Sequence, residues 1–226
     1  MNSHAPEPTV IELDHVSLAY EYREVLTDVC LSIRRGDFVA ITGPNGGGKT
    51  SLLHIILGLL KPTAGTVRVS FPAGTVGFLP QKNAVDAHFP ISVGEVIASG
   101  LLGVSNLSRE AREEAVARTL GQVELTELAD RPIGRLSGGQ VQRALLGRAI
   151  VSGPELLVMD EPLSYLDKHF EAEIYKLISG IAPTCTILLV SHEMSAIDAM
   201  ANRHLIVDRH VTECRHTHHY APADCY

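Results

Sequence analysis

The stretch TVIELDHVSLAY alternates apolar and polar positions, with Ile11 between Val10 and Glu12 and with Val16, Leu18 and Tyr20 in phase. That is the period of a half-buried β-strand. Shorter strand patterns follow over 28–33, 66–71 and 75–79, and together they predict an antiparallel layer. FVAIT, LLVMD and TILLV are instead continuous apolar runs, as expected of parallel strands covered on both faces. Between about 92 and 153 the pattern turns helical: SREAREEAVARTLGQV sets charges on one face and Ala111, Ala115, Val116 and Leu120 on the other. No repeat, low-complexity linker or heptad pattern interrupts the chain. The expectation is one domain over 8–212, with an inserted helical lobe at about 82–153 and a His- and Cys-containing tail over 213–226.

At 226 residues the chain is long enough to bury a core without staples. Its 45% hydrophobic and 20% charged residues are those of an ordinary globular protein. A formal charge of -7 argues against a protein that grips nucleic-acid backbone non-specifically, so no nucleic-acid partner is expected. The four cysteines, Cys30, Cys185, Cys214 and Cys225, have no regular spacing, and we read them as reduced thiols of a cytosolic protein. MNSHAPEPTV has neither the basic region nor the apolar run of a signal peptide. SLLHIILGLL and TILLVS stop well short of the roughly 20 apolar residues that span a bilayer, so a membrane role would come through a partner.

The chemistry begins after FVAIT, where GPNGGGKT runs from Gly43 to Thr50 and leads into the apolar stretch SLLHIILGLL. This is the phosphate-loop pattern in the strand-to-helix setting that gives it meaning. Glycines let backbone N–H groups turn inward around a phosphate, and the helix N-terminus adds a favourable dipole. Lys49 would neutralise the β- and γ-phosphates, and the Thr50 hydroxyl would hold Mg2+. The expected fold class is therefore α/β: a phosphate-loop NTPase core with a mainly parallel sheet, an antiparallel β layer and an inserted helical lobe.

A second glycine-rich loop, LSGGQ, precedes the helical stretch VQRALLGRAI. Backbone amides and a serine hydroxyl at a helix start make an anion site, and equally an ordinary capped helix with Ser137 as N-cap. Some 20 residues on, roughly, ELLVMDEP delivers Asp160 and Glu161 to the end of a buried strand, where ligands gather in parallel sheets. Asp160 is suited to hold Mg2+ through water and Glu161 to polarise an attacking water as general base.

In this order, Tyr20, GPNGGGKT, Gln81 after VGFL, LSGGQ, LLVMDE, SYLD and His192 in VSHE resemble the nucleotide-binding subunits of ABC transporters over essentially residues 8–212. Joint occurrence in order is highly specific. The resemblance implies a head-to-tail homodimer that sandwiches ATP and Mg2+ and hydrolyses the ATP. Tyr20 would stack on adenine, with Tyr22 as its competitor. Gly43, Pro44, Asn45, Gly46, Gly47, Gly48, Lys49, Thr50 and Ser51 would hold the phosphates. Ser137, Gly138, Gly139 and Gln140 of one subunit would close over the nucleotide of the other. Gln81 would sense the γ-phosphate, Asp167 would link the two sites, and His192 would hold the γ-phosphate. The Mg2+ set would be Thr50, Gln81 and Asp160, and the catalytic set Glu161, His192 and Lys49. The sequence departs from the pattern at Tyr165, usually a small residue, and at Gly147, where alanine is common.

PQKNAVDAHFPISVGEVIASGLLG, with Asp86 and Phe89-Pro90, resembles the segment after that glutamine in importers of zinc, manganese and related metals. It implies a divalent-metal cargo and an integral membrane permease met through the region after Gln81. An extracytoplasmic substrate-binding protein and a peripheral place on the cytoplasmic face of the inner or plasma membrane follow from the same resemblance. EPLSYLD departs from the commoner loop of that branch, which keeps heme and siderophore importers as the nearest alternative; a non-transport ABC ATPase of the cell-division type is a separate one. His204, His210, His216, His218 and His219 with Cys214 and Cys225 offer donors suited to Zn2+. Their spacing matches no closed zinc module, so a metal-binding tail and a solvated end both stand.

Overall fold

A computed structural model describes residues 7–21, 23–72, 74–81, 90–162, 168–191, 197 and 200–214. In chain order the elements are β1 (Thr9–Tyr20), β2 (Arg23–Arg34), β3 (Phe38–Thr42), α1 (Lys49–Ile56), β4 (Ala64–Val69), β5 (Val76–Leu79), α2 (Val93–Ser99), α3 (Arg109–Gln122), α4 (Gly138–Ile150), β6 (Leu156–Asp160), α5 (Lys168–Ile181), β7 (Thr186–Val190), β8 (Arg203–Asp208) and β9 (His210–Cys214). They fall into two compact units, residues 1–70 with 186–226, and residues 71–185.

In the first unit β1 pairs antiparallel with β2 on one side and β4 on the other. Alternation decides the faces: Ile11, Leu13, Val16 and Leu18 of β1 are buried, as are Leu26, Val29, Leu31 and Ile33 of β2. The apolar run Phe38–Thr42 makes β3, buried from Phe38 to Ile41 and paired parallel with both β7 and β8. A strand with neighbours on both edges and cover on both faces has no position for a polar side chain. Behind β8, the antiparallel β9 sets Cys214 opposite His204. One polar cluster ties this unit together. Arg203 donates from Nε and Nη2 to both carboxylate oxygens of Glu213 at 2.7 and 2.8 Å, and from Nη1 to Asp37 Oδ2 at 2.8 Å. Glu213 first, and then Asp37, hold the guanidinium strongly in its charged form, against the opposing effect of burial.

In the second unit β5 pairs parallel with β6, in register from Val76↔Leu156 to Leu79↔Met159. This corrects the expectation that 75–79 joins the antiparallel layer. Alternation encodes which face of a strand is buried, not its direction. The helical segment between β5 and β6 returns the chain to its starting side, so the two strands run parallel. Three of its helices begin at serine caps. Ser92 and Glu95 form a capping box on α2, Ser108 caps α3, and Ser137 and Gln140 form a capping box on α4. α2 and α3 both pack on α4. Gly147 is what lets them approach: a Cβ there would stand 3.0 Å from Ile97 Cδ1 and 3.4 Å from Thr119 Cγ2.

Candidate functional site

The glycine-rich loop lies between β3 and α1, and its backbone takes the conformations that glycine makes accessible. Gly43 and Gly48 have φ of +136° and +103°. A side chain on Gly43 would collide with the Val207 carbonyl oxygen, and one on Gly48 would stand 2.8 Å from both Leu26 Cδ2 and the Val25 carbonyl oxygen. Both glycines are needed for fit as well as for torsion. The loop is fastened from β8 outward, where the Arg209 N–H donates to the Gly47 carbonyl at 2.9 Å.

Lys49 is 6% exposed, and its Nζ donates to the carbonyls of Gly43 at 2.9 Å and Pro44 at 3.0 Å. The ammonium is thus folded into the concave side of its own loop, where its charge is worth most to an arriving phosphate. α1 differs from the three serine-capped helices: Gly48 gives it no side-chain cap, and its first turn holds no acid. A helix start without a capping side chain or a first-turn acid suits an anion, through its N–H groups and its dipole.

Tyr20, 53% exposed, closes β1 opposite Arg23 of β2. The Arg23 guanidinium reaches back to the loop, with Nη2 3.7 Å from the position a Cβ would take on Gly46. The hairpin that carries the expected adenine-stacking ring therefore meets the tip of the phosphate loop within one unit. Nothing in the sequence pattern singled out Arg23.

In the other unit, Gln81 and Glu161 come together, with Gln81 Nε2 donating to Glu161 Oε2 at 2.7 Å. A carboxylate only accepts, so the amide must turn its NH2 toward Glu161 and its oxygen away. Asp160 is 2% exposed at the end of β6. Glu161, with φ of +49°, leaves the strand direction in a conformation uncommon for a residue with a side chain. The next carbonyl, Pro162 O, accepts from the buried Gln142 Nε2 at 2.7 Å. Gln142 was also passed over by sequence reasoning. Its signal was a polar residue on the apolar stripe of α4, beside Ala144, Leu145 and Leu146.

The LSGGQ segment forms the start of α4. Ser137 Oγ accepts from the Gln140 N–H at 3.3 Å, and Gln140 Oε1 accepts from the Ser137 N–H at 3.0 Å. Ser137 and Gly138 are exposed, and a Cβ on Gly138 would meet nothing within 4 Å. Asp167, His192, Tyr22, Asp86, Phe89, Tyr165 and the tail residues His216, His218, His219 and Cys225 lie outside the described residues.

The family model described as ABC transporter matches residues 26–164. A zinc import ATP-binding protein of Pseudomonas syringae pv. syringae is 39% identical over 204 residues, covering 89% of this chain and 74% of that protein. One from Yersinia pestis is 33% identical over 206 residues, covering 90% and 78%. Among solved structures, a dimeric ATP-binding cassette in a post-hydrolysis state, bound to ADP and phosphate, is 25% identical with a TM-score of 0.80, over 93% of this chain and all of that one. With the phosphate-loop NTPase fold, the family match over more than half its length and these relatives, the chain belongs to the ABC transporter family, as one of its ATP-hydrolysing subunits.

Proposed function

We propose that this chain powers a zinc importer, hydrolysing ATP as a head-to-tail homodimer attached to a separate integral membrane permease at the cytoplasmic face of the inner membrane. Metal would reach the permease from an extracytoplasmic substrate-binding protein. The observation that carries the cargo is the identity of up to 39%, along nine-tenths of the chain, to proteins named for zinc import. The carrier of the chemistry is the glycine-lined loop with Lys49 folded into it.

Under this reading the γ-phosphate exchanges places with the Gly43 and Pro44 carbonyls at Lys49 Nζ, and the uncapped start of α1 donates its amides to the phosphate oxygens. Tyr20 covers the adenine. Thr50, Asp160 and Gln81 would supply oxygen donors of the kind Mg2+ takes: a hydroxyl, a carboxylate and the amide oxygen that Gln81 turns away from Glu161. Bound there, Mg2+ would neutralise charge on the β- and γ-phosphates. Glu161 accepts a proton from the attacking water, and the Gln81 amide holds its carboxylate in orientation. His192 holds the γ-phosphate and Asp167 links the two sites of the dimer. The exposed Ser137 and Gly138 suit contact with a nucleotide bound to a second copy.

The test is the elemental content of cells lacking this chain, grown with scarce zinc, manganese or iron, beside cells complemented with wild-type or Glu161→Gln protein. A selective zinc deficit repaired only by the wild-type protein is expected. A selective manganese or iron deficit would reassign the cargo. Unchanged metal content under every limitation would overturn metal import in favour of heme, a siderophore or a role in cell division.

A further inference from the structure

Away from the nucleotide, the pairing of β1 with β2 shifts register at several points, one of them between Leu13 and Val16. Leu13 pairs with Leu31 and Val16 with Val29, so Asp14 and His15 together oppose the single residue Cys30. This is a β-bulge, and it re-aims the two extra side chains. The backbone takes a positive φ at His15, of 51°, and again at Asp28, also 51°. Gly65 closes on the bulge from the β4 side, where a side chain would strike the His15 carbonyl.

The result is a cluster of unlike donors on the exposed surface of the sheet. One ligand atom each from Asp14, His15 and Cys30 lies within 4.8 Å of the others. The His15 N–H donates to Cys30 Sγ at 3.4 Å. Asp28 Oδ1 lies 2.6 Å from His15 Nδ1. The other ring nitrogen, Nε2, is 3.9 Å from Asp14 Oδ1. A carboxylate on one imidazole nitrogen fixes the neutral ring's proton there and leaves the second nitrogen as a donor with raised basicity. A His15–Asp28 ion pair accounts for neither the thiol nor the second carboxylate at the same spot.

We propose that Asp14, His15 and Cys30 bind one divalent transition ion of the Zn2+ type, with Asp28 as the residue that orients the imidazole. Thiolate and imidazole select zinc or cobalt over Mg2+ or Ca2+. Three protein ligands leave the fourth tetrahedral position to water. The side chains are exposed, so drawing the donors together around one ion is a matter of rotamers. The ion displaces the thiol proton and the second proton of any doubly protonated His15, and binding therefore weakens as pH falls. The inference is independent of what the chain transports.

Cobalt(II) is the probe, because a cobalt–thiolate bond gives a charge-transfer band that a carboxylate or imidazole site lacks. The full chain would carry Cys214→Ser and Cys225→Ser, removing the other thiols near the tail. In that background one equivalent of cobalt is expected to give the band, zinc to abolish it by competition, and Cys30→Ser to eliminate it. His15→Asn, chosen because asparagine tolerates a positive φ, should weaken cobalt at least tenfold, and Asp28→Asn about tenfold. No band in the double-serine background, or a band that survives Cys30→Ser, would overturn the site. Unchanged cobalt affinity in folded His15→Asn protein would do so as well.

Discussion

The amide of Gln81, two residues past β5, and the carboxylate of Glu161, the residue that follows β6, are joined by a 2.7 Å hydrogen bond. The two strands are parallel neighbours, so their C-terminal ends lie side by side. The bond holds the proposed base in one orientation. Replacing Glu161 with Gln keeps the shape and removes the proton acceptor. ATP turnover is expected to fall by about 100-fold or more, while nucleotide binding persists. Steady-state phosphate release and equilibrium ATP binding check both halves.

Gln142 acts one residue further on. Its Nε2 donates to the Pro162 carbonyl from a buried position, so Gln142→Leu leaves that acceptor without this donor. A loss of about 1–3 kcal/mol is expected in urea unfolding. Turnover should fall as well, with the apparent ATP affinity little changed, because the lost bond positions the chain beside Glu161.

Lys49 tests the phosphate loop directly. At ATP concentrations about 100 times Kd, a ligand that binds only the folded state stabilises it by ~2.7 kcal/mol. Thermal unfolding with and without MgATP should show that shift in the wild type. In Lys49→Ala most of it should disappear, because the charge facing the phosphates is gone.

The departure at Gly147 has a packing cause. Alanine would gain about 1 kcal/mol of helix propensity. Its methyl would also press on Ile97 at 3.0 Å and Thr119 at 3.4 Å, at an overpacking cost of about 1–3 kcal/mol. We expect Gly147→Ala to lower stability by roughly 1 kcal/mol. Combined with Ile97→Val, it should cost less than the two single changes added, and chemical denaturation of the four proteins measures the difference.

Cys185 is 1% exposed, and burial pushes its thiol up to about 12, against the lowering effect of a hydrogen bond to the Leu157 backbone. Folded protein at pH 8 should therefore hide Cys185 from Ellman's reagent while Cys30, which is exposed, reacts. Because the folded value lies above the unfolded one of roughly 8.5, the neutral thiol favours the folded state. That contribution is complete below about pH 8.5 and is lost as pH rises through about 12. Cys185→Ala should flatten this part of the alkaline unfolding profile.

Much of this molecule can be read from local patterns. Alternation located β1 and the second half of β2 because one face of that sheet is buried, and unbroken apolar runs located β3, β6 and β7 because theirs are covered on both sides. GPNGGGKT announced its loop because glycine is the residue that reaches the torsions found at Gly43 and Gly48. LSGGQ announced a helix start because serine caps helices, and Ser137 does so.

Direction and distant pairing were not encoded in any window of residues. The parallel run of β5, the approach of Gln142 to Pro162 and the bulge that sets Asp14 and His15 against Cys30 all depend on which segments become neighbours. Hydrophobic periodicity states which face of an element avoids water. Hydrogen-bond partners and crossing segments are chosen only when several such faces close on one another. The sequence by itself determined the chemistry of the nucleotide loop and the order of the elements. The tertiary structure decided how Glu161 is held, why residue 147 is glycine, and where three metal-type donors meet.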